Sequence, residues 1–318
     1  MDALPSYDDL PITPGAPAGS SWGLWGEEDR LGCLNLLTPE RAKVAAALVQ
    51  KGAVFALNLE YELPDPPVFG GRMVPQHEVL GEGGHDDVLT FNTQSSSQWD
   101  GFRHVQHPVH GHYNGVADAD HGIQHWAARG LAGRAVLVDV ARHRDIDASA
   151  SDPITTDDLD ATLAAQRTTL EAGDVLLVRT GWTAWYRSLD PERRTALPGQ
   201  LRAPGLRPGR DMLRWLWDHH VAAVASDNPA LEVWPPASHL TKEERDEIRA
   251  ANDPERAPEL FMHTALLPLL GMPIGELWDL DALASDCAAD GVYVGLFTSA
   301  PLRVAGGVAS PPNALVLK

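Results

Sequence analysis

The chain has 318 residues, with 25 Lys and Arg against 44 Asp and Glu, a formal net charge of −19. That balance repels phosphate backbones and anionic lipid, and no basic cluster reverses it locally, which excludes nucleic acid and membrane surfaces as partners. The two cysteines, Cys33 and Cys287, are too few to staple the chain and too far apart to pair by spacing. No apolar run reaches the roughly 18 residues of a membrane span, so a reduced, cytoplasmic protein is expected.

The N-terminus, MDALPSYDDLP, is acidic and broken by proline where a secretory leader is basic and then apolar. Residues 1–21 are expected to form an arm on the surface or on a neighbouring copy, and 22–318 a single domain. Thr38-Pro39-Glu40 supplies an N-cap, a proline at the first helical position and an early acid, predicting a helix that starts at Thr38 and runs through Ala42 to Val49. Short apolar runs predict strands at Val54 to Leu59, Ala135 to Val140, Asp174 to Arg179, Val221 to Ser226 and Gly291 to Thr298. Helical patterns at Thr156 to Ala165, Arg210 to His219 and Leu280 to Asp286 alternate with them. Continuously apolar strands suit a sheet buried on both faces, so the fold class is α/β with a central mixed sheet and flanking helices. Lys242 to Arg256 is almost all charged and reads as a solvated helix within an insertion spanning about 241–258.

Chemistry concentrates in two places. In the first, from Gln94 to Gly115, four histidines fall within nine residues, and an extended chain sets Gln94, Gln98 and Asp100 on one face. Such a face suits a metal or a carbonyl group; a polar loop whose Asp and His cap the backbone is the competing reading. In the second, His263 and Glu276 bracket an apolar stretch, two acid/base groups at the ends of a segment that buries itself. A core helix with a surface Glu is the alternative there.

The order of landmarks resembles the metal-dependent cyclase family that includes bacterial kynurenine formamidase and isatin hydrolase. The matching pieces are Ser21 to Arg41, Gly130 to Asp139, Gly173 to Trp182, His263 to Glu276, and Ser299 to Arg303 with Gly306-Gly307. The family signature is His, three residues, His, one residue, Asp, and a further His four residues on. Here Gln94 and Gln98 stand at the first two positions, followed by Asp100 and His104. The resemblance implies a swivelling β/β/α fold, a homodimer or homotetramer whose N-terminal arms exchange, and chemistry at a carbonyl of a small molecule. It implies metal ligation around Asp100, with Gln94, Gln98 and His104 as the remaining positions. Amide oxygen is a weaker donor to zinc than imidazole, so one Mn, Zn or Mg ion and a metal-free acid/base set both remain open.

The expected mechanism has His104 as general base, Asp100 orienting water or substrate, and His263 with Glu276 in support. Gln94, Gln98, Trp99, Trp22 and Trp25 are expected to contact substrate, with Trp182 and Trp234 as further pocket liners. The reaction is hydrolysis of an amide, lactam or ester, or ring closure with dehydration. The alternative from another class is a noncatalytic binding protein on a cyclase-like shell that has lost its metal.

Overall fold

A computed structural model describes residues 4–251 and 253–318. Its main sheet has nine strands in the order Val54–Ala56, Ala314–Leu317, Val294–Ser299, Leu131–Asp139, Val175–Arg179, Ala223–Ser226, Ile274–Glu276, Gln98–Asp100 and Ala309–Ser310. The four strands from Leu131–Asp139 to Ile274–Glu276 run parallel, and antiparallel strands extend the sheet on both sides. Val136, Leu137, Val138, Val175 to Val178 and Ala223 to Ala225 are all buried, as an apolar run flanked by crossover helices requires.

The helices begin where capping chemistry predicts. Thr38 Oγ1 accepts from the Arg41 N–H, with Pro39 at the first helical position of Pro39–Ala46. Thr155 and Asp158 form a reciprocal capping box at the start of Thr156–Gln166. Both helices pack on strand Leu131–Asp139. Helix Arg210–Asp218 buries Met212, Leu213, Trp215, Leu216 and Trp217, each such side chain contributing about 1.5–3 kcal/mol of transfer free energy. The N-terminal segment lies against this helix: Tyr7 and Leu10 are buried, and Trp217 Nε1 donates to the Pro5 carbonyl at 2.9 Å.

Several boundaries differ from expectation. The first strand stops at Ala56, beyond which Asn58 makes only an isolated bridge to Trp278. The charged insertion is helical over Lys242–Ala251 and then breaks at Pro254 into short turns. The segment from His263 to Glu276 is no single core helix: a helical turn, His263–Leu266, gives way at Gly271 to the strand Ile274–Glu276. An exposed hairpin, Gln76–Leu80 with Asp86–Thr90, carries no hydrophobic alternation that announces it. Among the described residues no helix is long and apolar enough to cross a membrane.

Candidate active site

Pairing of two short strands builds the floor of the site. Ile274 lies opposite Asp100, Gly275 opposite Trp99 and Glu276 opposite Gln98. Side chains of opposed residues share a face, and successive ones alternate, so Gln98, Asp100 and Glu276 project together while Trp99 projects the other way. Gln98 Nε2 donates to Glu276 Oε2 at 2.5 Å. On the far face Trp99 meets Trp278 edge to face at 4.7 Å and donates to Ser299 Oγ at 2.9 Å. Gly275 lets that stack form, since a Cβ there would come within 2.7 Å of the Trp278 ring.

A turn after the strand, closed by the His104 N–H on the Gly101 carbonyl, folds His104 back over Asp100. Gln94 Nε2 donates to Asp100 Oδ1 at 2.8 Å and lies 2.9 Å from His104 Nδ1. The same amide nitrogen is 3.3 Å from His104 Nε2, so the shorter approach to Nδ1 favours the imidazole proton on Nε2, 3.9 Å from Asp100 Oδ2. Burial pushes the proton affinity of His104 down and keeps the ring neutral at pH 7.

His263 arrives from the adjacent loop, fully buried. Its Nδ1 is 3.0 Å from Glu232 Oε1, and its Nε2 is 3.1 Å from Glu276 Oε1 and 3.8 Å from Asp100 Oδ2. Burial opposes its charge, but the charge of Glu232, the nearby Asp100 carboxylate and the hydrogen bonds to Glu232 and Glu276 win, and its pKa lies well above the ordinary value. Burial, and then the charge of Asp100, push the Glu276 carboxyl upward. Burial also opposes the charge of Asp100, which the two imidazoles hold below the usual range.

His104, His263 and Glu276 line a cavity of about 280 Å³ together with Phe69, Gly70, Arg72, Pro229, Ala230, Trp234 and Phe261. Phe69 and Trp234 pack edge to face at 4.9 Å, Phe261 stacks on His263 at 4.4 Å, and the Arg72 guanidinium lies over Phe69. Of the tryptophans expected to contact substrate, Trp234 alone lines this cavity. Trp99 and Trp182 are core residues, Trp99 because it has the wrong parity on its strand and Trp182 because it stacks on Tyr186. Trp25 packs against Trp217, and Trp22 lines a separate cavity of about 710 Å³ under the N-terminal segment. Gln94 and Gln98 do not line the cavity either: they spend their amides on Asp100, His104 and Glu276.

The donor set fits one divalent ion: Asp100, His104 and His263 each offer a ligand atom within 4.8 Å of one another. Asp100 Oδ2 and Gln98 Oε1 are buried without a hydrogen-bond partner. His263 Nε2 lies 3.8 Å from that Asp100 oxygen and 3.1 Å from Glu276 Oε1. Atoms held tetrahedrally at about 2.1 Å from a common ion sit about 3.4 Å apart, close to the His263–Asp100 and His263–Glu276 separations. Gln94 turns its amide nitrogen toward Asp100 and His104.

The family model described as Putative cyclase matches residues 37–233. The chain belongs to the cyclase family. A solved structure described as a novel cyclase is 32% identical with a TM-score of 0.80, over 94% of this chain and 97% of that one. Isatin hydrolase A from Ralstonia solanacearum shares the fold at 18% identity and a TM-score of 0.58, over 87% of this chain and 97% of its own. The enzyme of the same name from Labrenzia aggregata, bound to benzyl benzoate, does so at 14% identity and 0.54, over 84% and 94%. No curated protein matches the chain.

Four residues of this cyclase-family site escape sequence reasoning: Phe69, Arg72, Glu232 and Phe261. Only Glu232 carries a local signal, a lone carboxylate inside the apolar run Ala230-Leu231-Glu232-Val233-Trp234. The histidine-rich loop contains a second cluster, in which His107 and His110 stack at 4.7 Å beside Glu255. His107 Nδ1 accepts from the Val109 N–H at 3.2 Å, so its proton sits on Nε2, 3.8 Å from the Glu255 carboxylate. With His110 Nε2 2.9 Å from the same carboxylate, the cluster ties this loop to the charged insertion.

Proposed function

We propose that this cyclase-family protein is a hydrolase or cyclase acting at a carbonyl carbon of a small cyclic or aromatic molecule, breaking or forming a C–N or C–O bond. The observation that carries the reading is the meeting of His104, His263 and Glu276, from segments more than 150 residues apart, at one cavity rimmed by Phe69, Trp234 and Phe261, with the buried Asp100 carboxylate 3.9 and 3.8 Å from the two imidazoles. A cavity of about 280 Å³ takes a group the size of one or two rings, and the aromatic rim supplies flat apolar contact.

His104 carries the proton transfer. Its Nε2–H is placed to donate to a leaving group, and turning of the Gln94 amide frees the Nδ1 lone pair to act as general base, help typically worth about 10²- to 10⁴-fold. Asp100 and Glu276 orient the attacking water, while the proton between Glu276 and His263 at 3.1 Å is available to the departing group. Arg72, in the cavity wall, offers a cation to the carbonyl oxygen as charge develops there. A divalent ion held by Asp100, His263, Glu276 and Gln98 would supply carbonyl polarisation and a more acidic water.

The test is a panel of lactams, cyclic imides, aryl formamides and aryl esters, incubated with and without Mn²⁺, Zn²⁺ or Mg²⁺ and followed by acid release and mass spectrometry. Turnover that disappears in Asp100→Asn and His104→Ala, both still folded, supports the reading. Equilibrium binding of such compounds with no turnover in either direction under any of these conditions replaces it with the binding-protein alternative. The assembly, proposed as a homodimer or homotetramer, is read from the native mass in solution.

A further inference from the structure

Glu232 takes no part in the mechanism above, yet it is fully buried next to the reacting groups. Its Oε1 accepts from three donors at once: the Met262 N–H at 2.9 Å, the His263 N–H at 3.5 Å, and the His263 ring at Nδ1 at 3.0 Å. The first two are free N–H groups at the start of the helical turn His263–Leu266, so one oxygen holds both the backbone and the ring of the same histidine. Its second oxygen, Oε2, has no hydrogen-bond partner among the described residues.

The chain accepts an unusual backbone to put the carboxylate there. Leu231 sits at φ 54°, a conformation that a γ-branched residue rarely adopts. The turn is pinned by the Asn228 side chain, which donates to the Pro204 carbonyl at 2.6 Å and to the Leu231 carbonyl at 3.2 Å, and by the Leu206 N–H on the Leu231 carbonyl. Strain over-determined by its surroundings and ending in a buried acid beside an active-site imidazole points to a positioning role.

We infer that Glu232 is the positioning residue for His263: by accepting the Nδ1 proton it fixes the ring's orientation, and with it the direction of Nε2 toward Asp100 and Glu276. The inference rests on reading this cavity as the active site. A carboxylate behind a ligating or acid/base imidazole sets its tautomer and raises its basicity, and losing such a partner typically costs about 10- to 100-fold in metal affinity or activity. Without Glu232 the ring is free to rotate about its side-chain bonds and to turn Nε2 away from Asp100.

The experiment compares the full-length protein with Glu232→Gln, which keeps the shape and an acceptor oxygen for the Met262 N–H but removes the charge. In ¹⁵N-histidine-labelled protein without added metal, His263 is expected to show a strongly downfield, slowly exchanging Nδ1 proton, assigned by its absence in His263→Gln. That proton moves upfield or exchanges rapidly in Glu232→Gln. With Mn²⁺ as the probe, calorimetry is expected to give a 10- to 100-fold weaker affinity in Glu232→Gln at an unchanged melting temperature of the ion-free protein. An Nδ1 proton identical in the two proteins overturns the inference. A wild-type protein that binds no Mn²⁺ removes the ion from the proposed function, and the proton signal still decides the role of Glu232.

Discussion

Asp100→Asn tests the ion-binding set most directly. The Asp100 carboxylate has one oxygen on the Gln94 amide and the other unpartnered, 3.8 Å from His263 Nε2. At a free ion concentration 100 times Kd, linkage stabilises the folded state by about 2.7 kcal/mol. Unfolding entropy of about 2.1 cal/mol/K per residue gives about 0.67 kcal/mol/K for 318 residues, so the melting temperature rises by about 4 °C. Two unit charges 4 Å apart at an effective dielectric of 20 are worth about 4 kcal/mol, and an ion and its carboxylate ligand are closer and more highly charged. Loss of 100-fold in affinity, about 2.7 kcal/mol, is therefore a floor for Asp100→Asn. At the same ion concentration the variant then gains only about 0.4 kcal/mol, less than about 1 °C. Scanning fluorimetry against Mn²⁺, Zn²⁺ and Mg²⁺ reads both numbers. Binding also has to displace the proton that His263 carries without the ion, so the wild-type shift should be larger at pH 8 than at pH 6. Equal shifts in the two proteins, or no shift with any ion in wild type, would refute the ligand set.

Trp99→Ala is expected to cost about 3–5 kcal/mol in the denaturant midpoint, because it empties a core site between Trp278, Phe297 and Trp126 and does not touch the cavity. Activity lost at full stability would return Trp99 to the substrate. Restoring imidazoles in Gln94→His with Gln98→His should tighten zinc at least about tenfold in competition with a chromophoric chelator, since both positions face Asp100 or Glu276; unchanged affinity would contradict that placement. Burial pushes His121 down to about 4 from 6.5, with Nε2 on the Tyr113 carbonyl. The unfolded chain therefore binds the extra proton between pH 6.5 and 4, and stability falls on acidification through that window, by about 3 kcal/mol. His121→Gln should flatten that part of the urea-midpoint profile, and parallel profiles would count against it.

Local chemistry was enough to read the α/β class, the capped helix start at Thr38, the helical pattern from Thr156, and the shared face of Gln98 and Asp100, because capping and strand alternation act over a few residues. The convergence of His104 with Asp100 was within reach for the same reason, since one short turn joins them. Nothing local says that Glu276 lies opposite Gln98 across 178 residues of chain, or that the apolar stretch before it ends as a strand instead of continuing as a helix. The tryptophans show the limit most plainly. Hydrophobic and aromatic residues pack a core or line a pocket with the same chemistry, and only the parity of Trp99 on a strand paired to Ile274–Glu276 sends it inward. Glu232 and Arg72 depend still more on tertiary structure. A carboxylate is an ordinary solvated group until folding places it against an imidazole and removes the water, and its partner is then set by the packing of distant segments.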